Sequence, residues 1–179
     1  NEQGFDILGE YRPYDGAAVV IATNDELKSV SQEDRLAGFA STIRVGLSES
    51  ETGVQVSYLN PEYLAAAYRL ESDLASTQAA LEGGLGKQEV YGSSKGLTEK
   101  KLRKYHYTFG MEYFDDPYKL ASFDSQAEAV AAVEAGLGAN TQGVAGLYRL
   151  DLPRDNTSLF GVSMSAGAED DKYRDDAFQ

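Results

Sequence analysis

The sequence has no cysteine, no tryptophan and a single histidine, His106, among its 179 residues. Without cysteine there is no disulfide, no thiolate metal site and no cysteine nucleophile, and one histidine cannot by itself make a metal-ligand cluster. Most familiar catalytic chemistries fall away, so no cofactor, no metal and no catalytic residue is assigned. Positive charge is also scarce, with 16 Lys and Arg against 29 Asp and Glu, a net charge of −13. Such a chain repels phosphate backbones and anionic lipid surfaces, and nucleic acid is not expected as a partner. Its densest basic stretch, EKKLRK at 99–104, reads as a solvated helix face. Long apolar runs are missing too: AAVVIA, Ala17 to Ala22, is strand-sized, far short of the roughly 18 residues a membrane helix needs, and no membrane insertion is expected. The first residue, Asn1, is not methionine, which fits removal of a signal peptide and equally a trimmed chain; a periplasmic or extracellular location is the expectation, and the absence of cysteine is compatible with either compartment.

What is present alternates between strand and helix patterns. GFDILGEYRP and AAVVIAT read as strands. Thr23 and Glu26 have capping-box spacing and predict a helix from about Asn24 to Leu36. STIRVGLSES and TGVQVSYL predict a hairpin turning at Glu51-Thr52-Gly53. Asn60-Pro61 opens a long helix whose buried stripe is Tyr63, Ala67, Leu70, Leu74, Thr77, Leu81 and Leu85, ended by Gly83, Gly84 and Gly86. Tyr63, Leu70, Leu74 and Leu81 are expected against Val45, Val54 and Val56. A short helix over Leu97 to Lys104, a helix capped by Ser125 and Glu128, and a second hairpin around PRDN complete the pattern. The fold class is α+β, antiparallel sheet with helices packed on one face, in two strand-helix-hairpin units, 1–87 and 88–166, with a charged tail at 167–179.

KYHYTFGMEYF, Lys104 to Phe114, concentrates the histidine, one of the two methionines and five rings. As a strand it places Tyr105, Tyr107, Phe109, Met111 and Tyr113 on one face, toward a core, and His106 on the other, so His106 and Met111 cannot clasp one metal. The seven aromatics from Tyr105 to Phe123 exceed what one face of a short strand normally buries, so either Tyr105, Tyr113 and Tyr118 lie at a contact between units or chains, or all seven fill one intrachain core. Tyr105, His106, Tyr113 and Tyr118 are therefore the candidate binding residues. The adjacent acids Asp115-Asp116 and Asp170-Asp171 read as solvated loop pairs, and GGLG and GLGAN, which follow helices, read as C-caps.

GVQVSYLNPEYLAAAYRL, Gly53 to Leu70, with FDILGEYRP and TIRVGLSE before it, resembles the domain-of-unknown-function 302 family, and FDSQAEAVAAVEAGLGANTQGVAGLYRLDLP resembles the same family's helix and following strand. LTEKKLRKYHYTFGMEYFDDP is similar to a segment of exported bacterial members. The resemblance implies a TATA-binding-protein-like α+β fold, a curved antiparallel sheet with helices on one face, and self-association; it implies no catalytic residues. The family's helix-first portion lies here in the second unit and its hairpin portion in the first.

The expected function is an exported, non-enzymatic binding or assembly module, whose partner is a second copy of itself (a homo-oligomer) or another envelope protein, with a small ligand possible. Two alternatives stand beside it. One is a hydrolase or isomerase using carboxylates around Tyr113 to Asp116 with His106 as proton carrier; the other is a subunit of an envelope or extracellular polymer.

Overall fold

The structure, a computed structural model, describes residues 3–92, 94–113, 116–139 and 143–164. The tail expected at 167–179 lies outside them. Strands β1 (Asp6–Tyr11), β2 (Ala17–Thr23), β3 (Ile43–Ser50) and β4 (Gly53–Tyr58) form an antiparallel sheet in that order, and β5 (Val144–Asp151) pairs with β6 (Ser158–Met164). With helices α1 (Asp25–Ser29), α2 (Pro61–Ala67), α3 (Ala75–Leu85), α4 (Glu99–Leu102) and α5 (Gln126–Gly138), the fold is α+β. Two compact units divide the chain. One takes the described residues of 1–6, 23–43 and 59–118, the other those of 7–22, 44–58 and 119–179. These units interleave along the sequence, whereas the expected ones follow each other in tandem.

The first unit is helical, and its helices are shorter than their patterns predict. Asn24, not Thr23, caps α1: its Oδ1 accepts from Leu27 N at 2.8 Å, while the Thr23 hydroxyl donates to the Ser41 carbonyl at 2.7 Å. After Ser29 the chain tightens into a 3₁₀ turn over Val30–Gln32, so the helix expected to Leu36 ends early. The long helix from Pro61 is likewise two. Asn60 caps α2 through Glu62 N, and Arg69, at φ 57°, closes it. Leu70 N donates to Ala65 O and Arg69 N to Ala66 O, the paired bonds of a Schellman motif with arginine where glycine is usual. The polar residues just beyond explain the break: Ser72 Oγ accepts from Leu74 N, Asp73 Oδ1 from Ala75 N, and the Glu33 carboxylate from Glu71 N and Ser72 N. These side chains satisfy amides that a continuous helix would have paired internally.

Of the predicted stripe, Ala67, Leu70, Leu74, Thr77 and Leu81 are buried with Leu27, Val30 and Leu64. Tyr63 and Leu85 are exposed, as are Val54 and Val56 of β4, so the expected burial of Tyr63 and of those two valines does not occur. Tyr63 lies at the first turn of α2, and β4 is the end strand of its sheet.

In the second unit β2 buries Ala17, Val19 and Ile21 on alternate positions, as a central strand should. The β3–β4 hairpin has the predicted turn, with Ser50 opposite Gly53 and Leu47 opposite Val56. Helix α5, capped by Ser125 accepting from Glu128 N, lies along β5: Leu137 meets Gly146, Glu134 pairs with Arg149 at 3.1 Å, and Gln126 bonds Ser158. Two glycines here owe their identity to close approach. The bulge in β5 leaves Leu147 unpaired and turns its carbonyl to within 3.0 Å of where a Gly9 Cβ would sit; across the pair, the Tyr148 ring occupies the space of a Gly161 Cβ.

Candidate binding surface

The break after α2 sets the position of Arg69. Its Nε donates to Arg103 O at 2.9 Å, and Arg103 returns a bond from Nη2 to Leu70 O at 2.8 Å while its Nε pairs with Glu99 at 2.8 Å. Thr98, accepting from Lys101 N, caps the single turn of α4 that carries Arg103, and Leu102 anchors that turn in the core. So fixed, the Arg69 guanidinium stands over the Tyr113 ring, 4.9 Å from its centroid, a cation–π contact. The His106 ring lies 5.2 Å from the same ring, and Nδ1 is 2.6 Å from Thr108 O. A carbonyl only accepts, so Nδ1 carries the proton in this contact.

The stretch read as a strand, Tyr105 to Phe114, is not one over its described residues, 105–113. After α4 it runs through turns, Gly110 takes φ 84°, and Tyr113 N bonds the Asp116 carboxylate at 2.8 Å, which folds the chain back. Period-two alternation therefore does not sort its rings: Phe109 is 98% exposed and Tyr107 79%, with Met111 also on the surface. The predicted inward face is largely outward, because no strand pairs with the segment among the described residues to give it a pleat.

Of the four candidate residues, the structure brings His106 and Tyr113 together. Tyr105 is half-buried beside Tyr63, whose phenol is pushed above the ordinary tyrosine range first by burial and then by the nearby Tyr105. Tyr118, 76% exposed, donates its hydroxyl to Glu112. Arg69 and Tyr63 were not singled out by sequence as surface residues; the usable signal was Ser72-Asp73, a helix-start pair that implies a break before it. The carboxylates of the enzyme alternative are individually engaged, Asp116 by Tyr113 N and Glu112 by Tyr118, while Asp115, Asp170 and Asp171 lie outside the described residues. Among the described residues no group of three His, Asp or Glu side chains could hold a metal ion.

The Tyr118–Glu112 bond carries a pH signature. The donated hydroxyl proton, ahead of a backbone hydrogen bond, holds Glu112 below the usual carboxylate range, and the same contact pushes Tyr118 above the usual tyrosine range. Because the folded-state pKa of Glu112 is depressed, whatever the bond contributes is present above the ordinary glutamate range and disappears as pH falls through the lowered pKa. Tyr118→Phe should raise the Glu112 pKa toward the ordinary glutamate range in a carbon-13 carboxyl NMR series, short of it by what the backbone hydrogen bond still lowers. An unchanged curve would show that the loop is not closed by this bond.

Compared with protein-family models, curated proteins and solved structures, the chain finds no match. The likeness to the domain-of-unknown-function 302 family rests on sequence pattern alone.

Proposed function

We propose that the chain is an exported binding or assembly module without enzymatic activity, and that the ring-rich stretch around Tyr105 to Tyr118 is its contact surface. The observation that carries this reading is the display of Tyr107, Phe109, Met111 and Tyr118 to solvent from one segment, held in place by the Arg69–Tyr113–His106 contacts. Apolar surface of that kind is costly in water unless a partner covers it, and tyrosine suits a contact that is sometimes wet. Exposed Lys100, Lys101 and Lys104 precede it, so an acidic second copy meets local positive charge there. The self-association that the family resemblance implies points the same way. No helix among the described residues is long and apolar enough to cross a membrane.

Size-exclusion chromatography with light scattering at micromolar concentration tests the reading. Tyr118→Ser should weaken association by about tenfold or more, as loss of an interface tyrosine does, while circular dichroism stays native. A wild-type chain that is monomeric even at millimolar concentration would leave the stretch without a self-partner. His106→Gln keeps a donor for Thr108 O, so assembly should survive it; loss of function with the fold intact would favour the hydrolase or isomerase alternative.

A further inference from the structure

The second unit offers a different contact. Strand β4 ends the order of its sheet, and among the described residues no strand pairs with its outer side. In a two-residue hairpin the closing pair, here Ser50 and Gly53, exchanges both hydrogen bonds, and pairs then alternate along the ladder. The backbone N–H and C=O of Val54 and Val56 consequently face the open edge. Their side chains share one face of the sheet and are 62% and 43% exposed. The six residues Gly53–Tyr58 contain no charge and no proline, the usual guards of an edge strand. Charge nearby is one-sided: Glu49 and Glu51 are exposed at the turn, and the hairpin's one cation, Arg44, stands at its far end.

We propose that β4 accepts an extended peptide of a partner protein as an added strand, with apolar side chains at alternate positions over Val54 and Val56 and basic residues beside Glu49 and Glu51. An antiparallel incoming strand places its C-terminal end by the turn, so the basic residues belong there. A second copy of this chain is the poorer occupant: paired antiparallel it would bring a single cation, Arg44, beside Glu49 and Glu51, against the repulsion of two chains that each carry a net charge of −13. The proposal is independent of the aromatic surface.

The test is fluorescence anisotropy of the full chain with a labelled, amidated synthetic peptide that alternates valine and threonine and closes in two lysines, beside a counterpart closing in two glutamates. The lysine peptide should saturate, and the glutamate peptide should bind about tenfold more weakly or worse. Val56→Pro removes an outward N–H without removing a β3 bond, and should weaken the lysine peptide by about tenfold with circular dichroism unchanged. Should that variant misfold, Val54→Lys puts a like charge beside the peptide's lysines and should weaken it comparably. Tyr118→Ser should leave peptide binding unchanged. The proposal is overturned by an absence of saturable binding up to millimolar peptide, by equal binding of the two peptides, or by insensitivity to these β4 variants. It is equally overturned by a wild-type dimer that Val56→Pro dissolves, which would make the second copy the occupant.

Discussion

Leu74→Ala should cost about 2–5 kcal/mol of folding stability, and Leu74→Gly should cost less than the alanine variant, not more. The first part follows from burial: Leu74 is 0% exposed, in the stripe that Leu70 and Leu81 continue. Truncation removes the transfer free energy of the side chain and leaves a cavity that neighbouring helices only partly fill. The second part follows from the backbone. Leu74 has φ 56° and ψ 31°, a left-handed conformation that a residue with a Cβ adopts at a cost of roughly 1–2 kcal/mol and glycine adopts freely. Alanine keeps that cost and glycine removes it. Were 60–85 one continuous helix, glycine would be the worse residue by about 1 kcal/mol. Urea denaturation of the two variants therefore reads out the helix break by the sign of their difference, and an alanine variant within error of wild type would show that this stripe is not packed.

The same residues show how far the sequence could be read. Element types that depend on neighbours in the chain were legible: both hairpins, the central strand β2, the Asn60-Pro61 and Ser125 helix starts, and the buried positions Leu70, Leu74 and Leu81 all follow from spacing and local capping. What misled was side chains acting at a distance. Thr23 and Glu26 have the spacing of a capping box, but Thr23 already belongs to β2 and sends its hydroxyl to Ser41, and Glu26 reaches Thr77 instead of folding back. The apolar periodicity across 60–85 survives the break because two helices that share a core keep one stripe between them. The rings of 105–113 alternate like a strand, yet alternation specifies a strand only when a partner strand supplies the ladder. For the candidate surface, the abundance of tyrosine singled out Tyr113, while the cation over its ring, Arg69, depends on a turn that only the Ser72-Asp73 pair beyond it announced.

Glu26→Ala should be the most damaging polar substitution in the helical unit. Helix α3 starts at Ala75 from Leu74, a residue with no side-chain oxygen to cap it. Thr77 stands in its first turn, is 0% exposed, and gives both its amide and its hydroxyl to the Glu26 carboxylate at 2.6 Å each, while Asn24 Nδ2 donates to the same hydroxyl at 3.0 Å. Asp73 Oδ1 takes the Ala75 amide, and the carboxylate from α1 completes the capping at Thr77, its charge also suiting the positive end of that helix. Alanine leaves the buried Thr77 amide unmet, at roughly 1–3 kcal/mol, and leaves the hydroxyl only the longer contact with Asn24 Oδ1 at 3.4 Å. Glutamine keeps an acceptor oxygen but not its charge, and should lose only about half as much, since charge-assisted bonds are about twice as strong as neutral ones. Thr77→Val removes the hydroxyl with the shape retained, so the Glu26→Ala/Thr77→Val double variant should be less destabilised than the sum of the singles. A coupling of zero in that double-mutant cycle, measured by denaturant midpoints at constant slope, would mean that α1 and α3 are not joined through these two side chains.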